Sequence, residues 1–109
     1  MQDVDIKTAD GVMDAKLFQP EGSGPWPAVI MIPDAFGIRP VFEEMARRLS
    51  KSGYVVLLPN VFYRDGHTSK LDLQGSFADE AFRKRLYGLI GALTPERLKL
   101  DAGAELDFL

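Results

Sequence analysis

Three rhythms of apolar residues run along the chain. From Gln2 to Thr8 polar and apolar residues alternate, with Val4 and Ile6 on one face; Ala9-Asp10-Gly11 supplies turn chemistry, and the pattern resumes from Met13 to Phe18. This predicts an antiparallel hairpin. Gln19 to Pro25 is rich in glycine and proline and reads as a surface loop leading into Trp26-Pro27. The second rhythm is unbroken. Ala28-Val29-Ile30-Met31-Ile32 and Tyr54-Val55-Val56-Leu57-Leu58-Pro59 are continuous apolar runs, the signature of parallel strands covered on both faces. The first of them is expected at the centre of the sheet.

The third rhythm is helical. Pro40 suits a first helical turn, and Val41, Phe42, Met45, Ala46 and Leu49 recur at helical spacing until Gly53 stops the helix. Strand, helix, strand in that order specifies a right-handed crossover in a parallel sheet, so the fold class is α/β. Asn60 to Gln74 is polar and irregular, with a turn at Asp65-Gly66. Asp79 and Glu80 then open a helix carrying Phe82, Leu86, Ile90 and Leu93 on one side. Thr94 as cap and Pro95 at the first helical position start another, whose stripe is Leu98, Ala102, Leu106 and Leu109. No internal repeat or low-complexity tract interrupts this order.

A central strand at Ala28–Ile32 needs neighbours on both edges, and within residues 1–109 only Tyr54–Leu58 and the hairpin are available. The expectation is an unfinished sheet, the amino-terminal portion of one domain. Its open edge would be filled by a following carboxy-terminal half or by a second copy of the chain.

Composition narrows the function classes. The formal net charge of -3 leaves no basic footprint for nucleic acid, and Arg47, Arg48, Arg83, Lys84 and Arg85 sit in short clusters. Cysteine is absent, which excludes disulfides, thiolate metal sites and a cysteine nucleophile within these residues. The start, Met1-Gln2-Asp3-Val4-Asp5, has no basic segment followed by an apolar one, and no run approaches the roughly 18 apolar residues of a membrane span. The default reading is a cytoplasmic protein that engages neither membrane nor nucleic acid.

Position makes Ile32 to Pro40 a site candidate, because ligands of open α/β sheets bind beyond the carboxyl ends of the strands. Gly37 permits a backbone turn, and the Ala35 amide is placed to face a substrate oxygen. The competing reading is a tight strand-to-helix connection that happens to hold an acid.

Pro33-Asp34-Ala35-Phe36-Gly37, an amphipathic helix, Gly53-Tyr54-Val55-Val56 and then Leu58-Pro59-Asn60-Val61-Phe62-Tyr63-Arg64 together resemble the dienelactone hydrolases. The similarity extends more loosely over the initial hairpin and over Leu93 to Leu109, about the first half of a family member. It implies a partial α/β-hydrolase fold and hydrolysis of lactones or carboxylic esters through a cysteine or serine nucleophile, with no metal or organic cofactor. The family's nucleophile elbow, triad acid and histidine do not occur in this chain. What the resemblance carries over is Asp34, at the position of a glutamate that activates the nucleophile, and Ala35, as an oxyanion-hole amide. Aspartate keeps the charge and shortens the reach by one methylene, about 1.5 Å. Phe36 and Gly37 are assigned to substrate binding. The rival function is a non-catalytic, self-associating binding domain.

His67, the single histidine, lies near Asp65 and Ser69, but three residues so close in one loop rarely align as a triad, and it is read as a solvent-facing loop residue near the pocket mouth. Phe62 is assigned to packing, Tyr63 to either pocket or packing, and Arg83 to a solvated face with Lys84 and Arg85.

Overall fold

The hairpin forms as its alternation dictates. In a computed structural model that describes residues 1–71 and 75–109, β1 (Gln2–Thr8) pairs antiparallel with β2 (Gly11–Phe18), in a register that sets Ile6 opposite Met13 and Thr8 opposite Gly11. Asp72 to Gln74, the end of the polar stretch predicted after the second apolar run, lie outside the described residues. β3 (Ala28–Ile30) and β4 (Val55–Pro59) are parallel, and β4 also pairs antiparallel with β2, giving a four-stranded sheet in the order β1-β2-β4-β3.

Of the two unbroken apolar runs, the second, β4, is therefore the one with a strand on each side within residues 1–109. Its Leu57 points into a cluster with Ile6, Met13, Ala15, Leu17 and Tyr63, while Val56 and Leu58 point the other way, onto Phe18 and Ala46. Burial on both faces is what an unbroken apolar strand requires. The run at Ala28–Ile32 is shorter than expected and lies at the sheet edge. Its ladder ends where the Met31 amide donates to the Leu57 carbonyl at 2.8 Å; Pro33 has no amide to continue it, and Ile32 is 55% exposed.

α1 (Pro40–Lys51) connects β3 to β4 and lays Phe42, Ala46 and Leu49 on the sheet. Its end is defined by Gly53, whose φ of +100° suits glycine and whose amide donates to the Ser50 carbonyl. Val41 and Met45, expected on the buried stripe, lie half exposed at its border, and Ser50 is buried in their stead. α2 (Glu80–Gly91) is capped by the Asp79 carboxylate, which accepts from the Ala81 amide, and buries Phe82 and Leu86; Ile90 faces out. Beside the start of α1's return to the sheet, Trp26 is half-buried with Phe18, Arg47 and Gly53 around one hollow.

α3 (Pro95–Phe108) begins as its sequence requires, with Thr94 Oγ1 accepting from the Arg97 amide. The face it buries differs from the expected one. Leu98, Leu106 and Leu109 are exposed, and Asp101 and Glu105 are buried where α3 meets β1. The cause is a long-range polar node. Asp101 accepts from Arg64 Nη1 and Nη2 at 2.9 and 2.8 Å and from Tyr63 Oη at 2.8 Å, while Arg64 Nε donates to Asp10 at the hairpin turn at 2.9 Å. Tyr63 Oη also meets Thr8 Oγ1 at 2.8 Å. Burial raises the Tyr63 phenol, and its bonds to Asp101 hold Arg64 firmly protonated. Charge pairing, not the leucine stripe, sets the rotation of α3.

Candidate active site

The loop after β3 is built by local chemistry. Asp34 Oδ1 accepts from the Phe36 amide at 3.0 Å, and the Asp34 carbonyl accepts from the Gly37 amide at 2.9 Å. Aspartate at the first position and glycine at the fourth is the sequence preference of such a turn, and Gly37 takes a φ of +74°. Phe36 and Gly37 amides are thereby committed within the turn, and the Ala35 amide has no acceptor among the described residues.

The turn's outer rim is charged and its inner wall aromatic. Arg39 Nη2 donates to Asp34 Oδ2, and the guanidinium lies over the rings of Phe36 and Phe42, at 5.6 and 5.2 Å from their centroids. Both members of the ion pair are roughly half exposed. Phe36 stacks on Phe82 with centroids 6.2 Å apart, and Phe77 meets both rings edge-on.

A cavity of about 600 Å³ opens here, lined by Phe36, Gly37, Ile38, Arg39, Pro40, Asn60, Thr68, Leu71 and Gly75. Its volume is that of a small-molecule cleft. The sequence-predicted Phe36 and Gly37 thus meet in one hollow at the carboxyl ends of β3 and β4. Asp34 and Ala35 belong to the same turn but are not among the lining residues, and the Asp34 carboxylate is turned to Arg39.

Sequence reasoning missed Asn60 and Thr68. Asn60 directly follows β4, where position alone offers a signal. Its side chain is held from behind: Nδ2 donates to Asp14 Oδ1 at 2.8 Å and to the Gly66 carbonyl at 2.9 Å, and Oδ1 accepts from the Phe62 amide at 3.0 Å. The Thr68 amide donates to Asp14 Oδ2 at 3.2 Å. The buried Asp14 carboxylate therefore fixes two wall residues at once. Thr68 Oγ1 is buried with no hydrogen-bond partner among the described residues.

The remaining candidates fall as follows. Phe62 is buried, as packing requires, and Tyr63 belongs to the node under α3 and not to the cavity wall. Arg83 donates through Nη1 to the Phe77 carbonyl, so it braces the aromatic cluster. His67 is exposed, caps a 3₁₀ turn over Thr68–Lys70, and Asp65 is not among its partners. Among the described residues no group of three or more His, Cys, Asp or Glu is placed to hold a metal ion, and no helix is long and apolar enough to cross a membrane.

The sequence pattern of the "Dienelactone hydrolase family" matches residues 13–109. The "Putative carboxymethylenebutenolidase" of Methylorubrum extorquens is 35% identical over 69 residues, 63% of this chain and 24% of that protein. The carboxymethylenebutenolidase of Rhodococcus opacus is 35% identical over 48 residues, 44% of this chain and 18% of that protein. Among solved structures, the "Putative Dienelactone Hydrolase" of Klebsiella pneumoniae superposes with a TM-score of 0.78 at 21% identity, over 98% of this chain and 42% of that one, a likeness of fold. The chain spans less than half the length of the proteins it matches.

Proposed function

The chain belongs to the dienelactone hydrolase family, and from that premise we propose that it supplies one wall of the active site of a hydrolase of lactones or small carboxylic esters, working in the cytoplasm without metal or organic cofactor. Residues 1–109 are the amino-terminal portion of a single α/β-hydrolase domain in this reading. The nucleophile, a cysteine or serine, and the triad acid and histidine come from sequence beyond them. The observation that carries the proposal is the meeting of Phe36 and Gly37 in a cavity at the carboxyl ends of β3 and β4.

Each residue of the turn then has a task. Phe36 and Gly37 hold the acyl part of the substrate against the aromatic wall. As the nucleophile attacks the carbonyl carbon, the uncommitted Ala35 amide donates to the developing oxyanion. Asp34 accepts the nucleophile's proton, for which its carboxylate exchanges Arg39 for the nucleophile. An exposed ion pair of this kind holds with only about 0–1 kcal/mol, so the exchange is inexpensive.

The test measures hydrolysis of p-nitrophenyl acetate and of a dienelactone by the protein from the complete reading frame, beside residues 1–109 alone. Turnover is expected only in the longer protein, and Asp34→Ala lowers its kcat/KM on the order of 10²-fold. Turnover of the dienelactone by residues 1–109 beyond one equivalent of product, indifferent to Asp34→Ala, would overturn the assignment.

The unpaired edge of β3 supports a second reading, a non-catalytic domain that self-associates strand to strand. Sedimentation of the 109-residue protein separates the two: a monomer at every concentration removes the self-associating domain.

A further inference from the structure

Behind the cavity wall, on the opposite side of Asp14, a second constellation forms that the hydrolase reading does not use. His67 Nδ1 lies 2.8 Å from Ser69 Oγ, and His67 Nε2 lies 3.8 Å from Asp14 Oδ2. The three side chains line a separate hollow of about 410 Å³ together with Asp3, Asp5 and Lys16. We infer that Ser69 is a nucleophilic serine, activated by His67 with the Asp14 carboxylate of the distant strand as a nearby counter-charge, that takes up acyl or phosphonyl groups from neutral donors with good leaving groups.

The protonation state follows from the geometry. The Ser69 amide donates to His67 Nδ1 at 3.0 Å, and an amide nitrogen can only donate. Nδ1 of the neutral ring is therefore the bare nitrogen and Nε2 carries the proton. One consequence is fixed by this. The Ser69 hydroxyl has to be the donor in its 2.8 Å bond to Nδ1, the arrangement a base needs to receive its proton. Nε2, 3.8 Å from Asp14 Oδ2, is too far to hydrogen-bond it, and the carboxylate acts there as a nearby negative charge for an imidazolium formed in the reaction. Capping of the 3₁₀ turn accounts for the amide bond alone; it accounts for neither the hydroxyl nor Asp14.

Asp14 is suited to be a fixed counter-charge. It is 8% exposed and held by Asn60 Nδ2 at 2.8 Å and the Thr68 amide at 3.2 Å. It comes from β2, far from the loop in sequence, which supplies the distant partner that Asp65 does not. Charge then selects the donor. Asp3, Asp5 and Asp14 face the hollow against the single ammonium of Lys16, which is itself bonded to Asp3. An anionic donor is repelled, and a neutral one is admitted.

With a neutral alkyl fluorophosphonate ester the balance is complete: Ser69 Oγ bonds to phosphorus, the P–F bond breaks, fluoride leaves with the electron pair, and the hydroxyl proton passes to His67 Nδ1. The experiment treats the 109-residue protein with this probe at pH 8, maps the adduct by peptide mass spectrometry, and follows the fold by far-ultraviolet circular dichroism. One adduct at Ser69 is expected, formed on the order of 10²-fold more slowly in His67→Ala and about tenfold more slowly with an anionic analogue of the probe. Ser69→Ala, a change at an exposed position, abolishes it. A folded wild-type protein with no adduct at Ser69, or labelling of Ser69 that persists at full rate in folded His67→Ala, overturns the inference. Neither result touches the hydrolase assignment, whose residues lie at the other cavity.

Discussion

α1 and α3 both lie on the sheet, but they are attached by different physics. α1 buries Ala46 completely and presses Phe42 and Leu49 against Phe18, Val56 and Leu58, an apolar attachment that its sequence announces. α3 turns its leucines outward and buries two acids, one clasped by an arginine and a tyrosine from the segment after β4. An apolar face tolerates small shifts in register, whereas a bidentate guanidinium–carboxylate pair admits one geometry. The first attachment gives adhesion and the second gives orientation.

The contrast is broken most severely at Asp101. Asp101→Ala leaves Arg64, with only 15% of its side chain exposed, and the Tyr63 hydroxyl without their main partner, and should cost about 3–5 kcal/mol in urea unfolding. Ala46→Leu attacks the apolar attachment by overfilling it; about 1–3 kcal/mol is expected from the same measurement. Glu105 sets the α3 attachment apart through pH. Burial, and to a smaller extent the charge of Asp101 one turn away, pushes its carboxyl up to about 7, from an unfolded value near 4.5. Between those values the folded state binds more protons than the unfolded state. The Glu105 contribution is thus favourable below pH 4.5 and is lost as pH rises through 7. Glu105→Gln should remove this slope and raise stability above pH 7 by about 1 kcal/mol, read as thermal unfolding across a pH series. Smallest of all, Leu106→Lys, at a position 64% exposed, should change stability by no more than about 0.5 kcal/mol, which a core stripe would not allow.

These same residues show where the sequence could be read. The hairpin, β4, the start of α1 and the caps at Asp79 and Thr94 depend on neighbours within a few positions, and each is visible in local pattern. Asp101 is not, because what makes its burial tolerable is Arg64, 37 positions earlier. Helical periodicity ranks leucine above aspartate for the buried face and has no access to that partner. Which apolar run has strands on both sides within residues 1–109 is hidden for a related reason: Ala28–Ile32 and Tyr54–Pro59 are equally apolar, and only the return of β2 alongside β4 decides it. At the candidate site, Phe36 and Gly37 were accessible through their place after a strand. The pairing of Asp34 with Arg39, and Asn60 and Thr68 on the cavity wall, arise from side-chain directions and from Asp14 on another strand.

Trp26 gives the two attachments separate voices. The single tryptophan shares its hollow with Phe18, Arg47 and Gly53, beside α1, while Tyr63 is locked beneath α3 with the Arg64 guanidinium 4.6 Å above its ring. Indole emission therefore reports on the apolar half of the molecule, and the part of the near-ultraviolet dichroism that Tyr63→Phe removes, set apart from Tyr54 and Tyr87, on the ionic half. In a chain whose halves melt as one unit the two signals trace a single curve. In the Asp101→Ala protein the tyrosine signal should fall first, with the indole still shielded, and cooperativity itself becomes the property that one carboxylate confers.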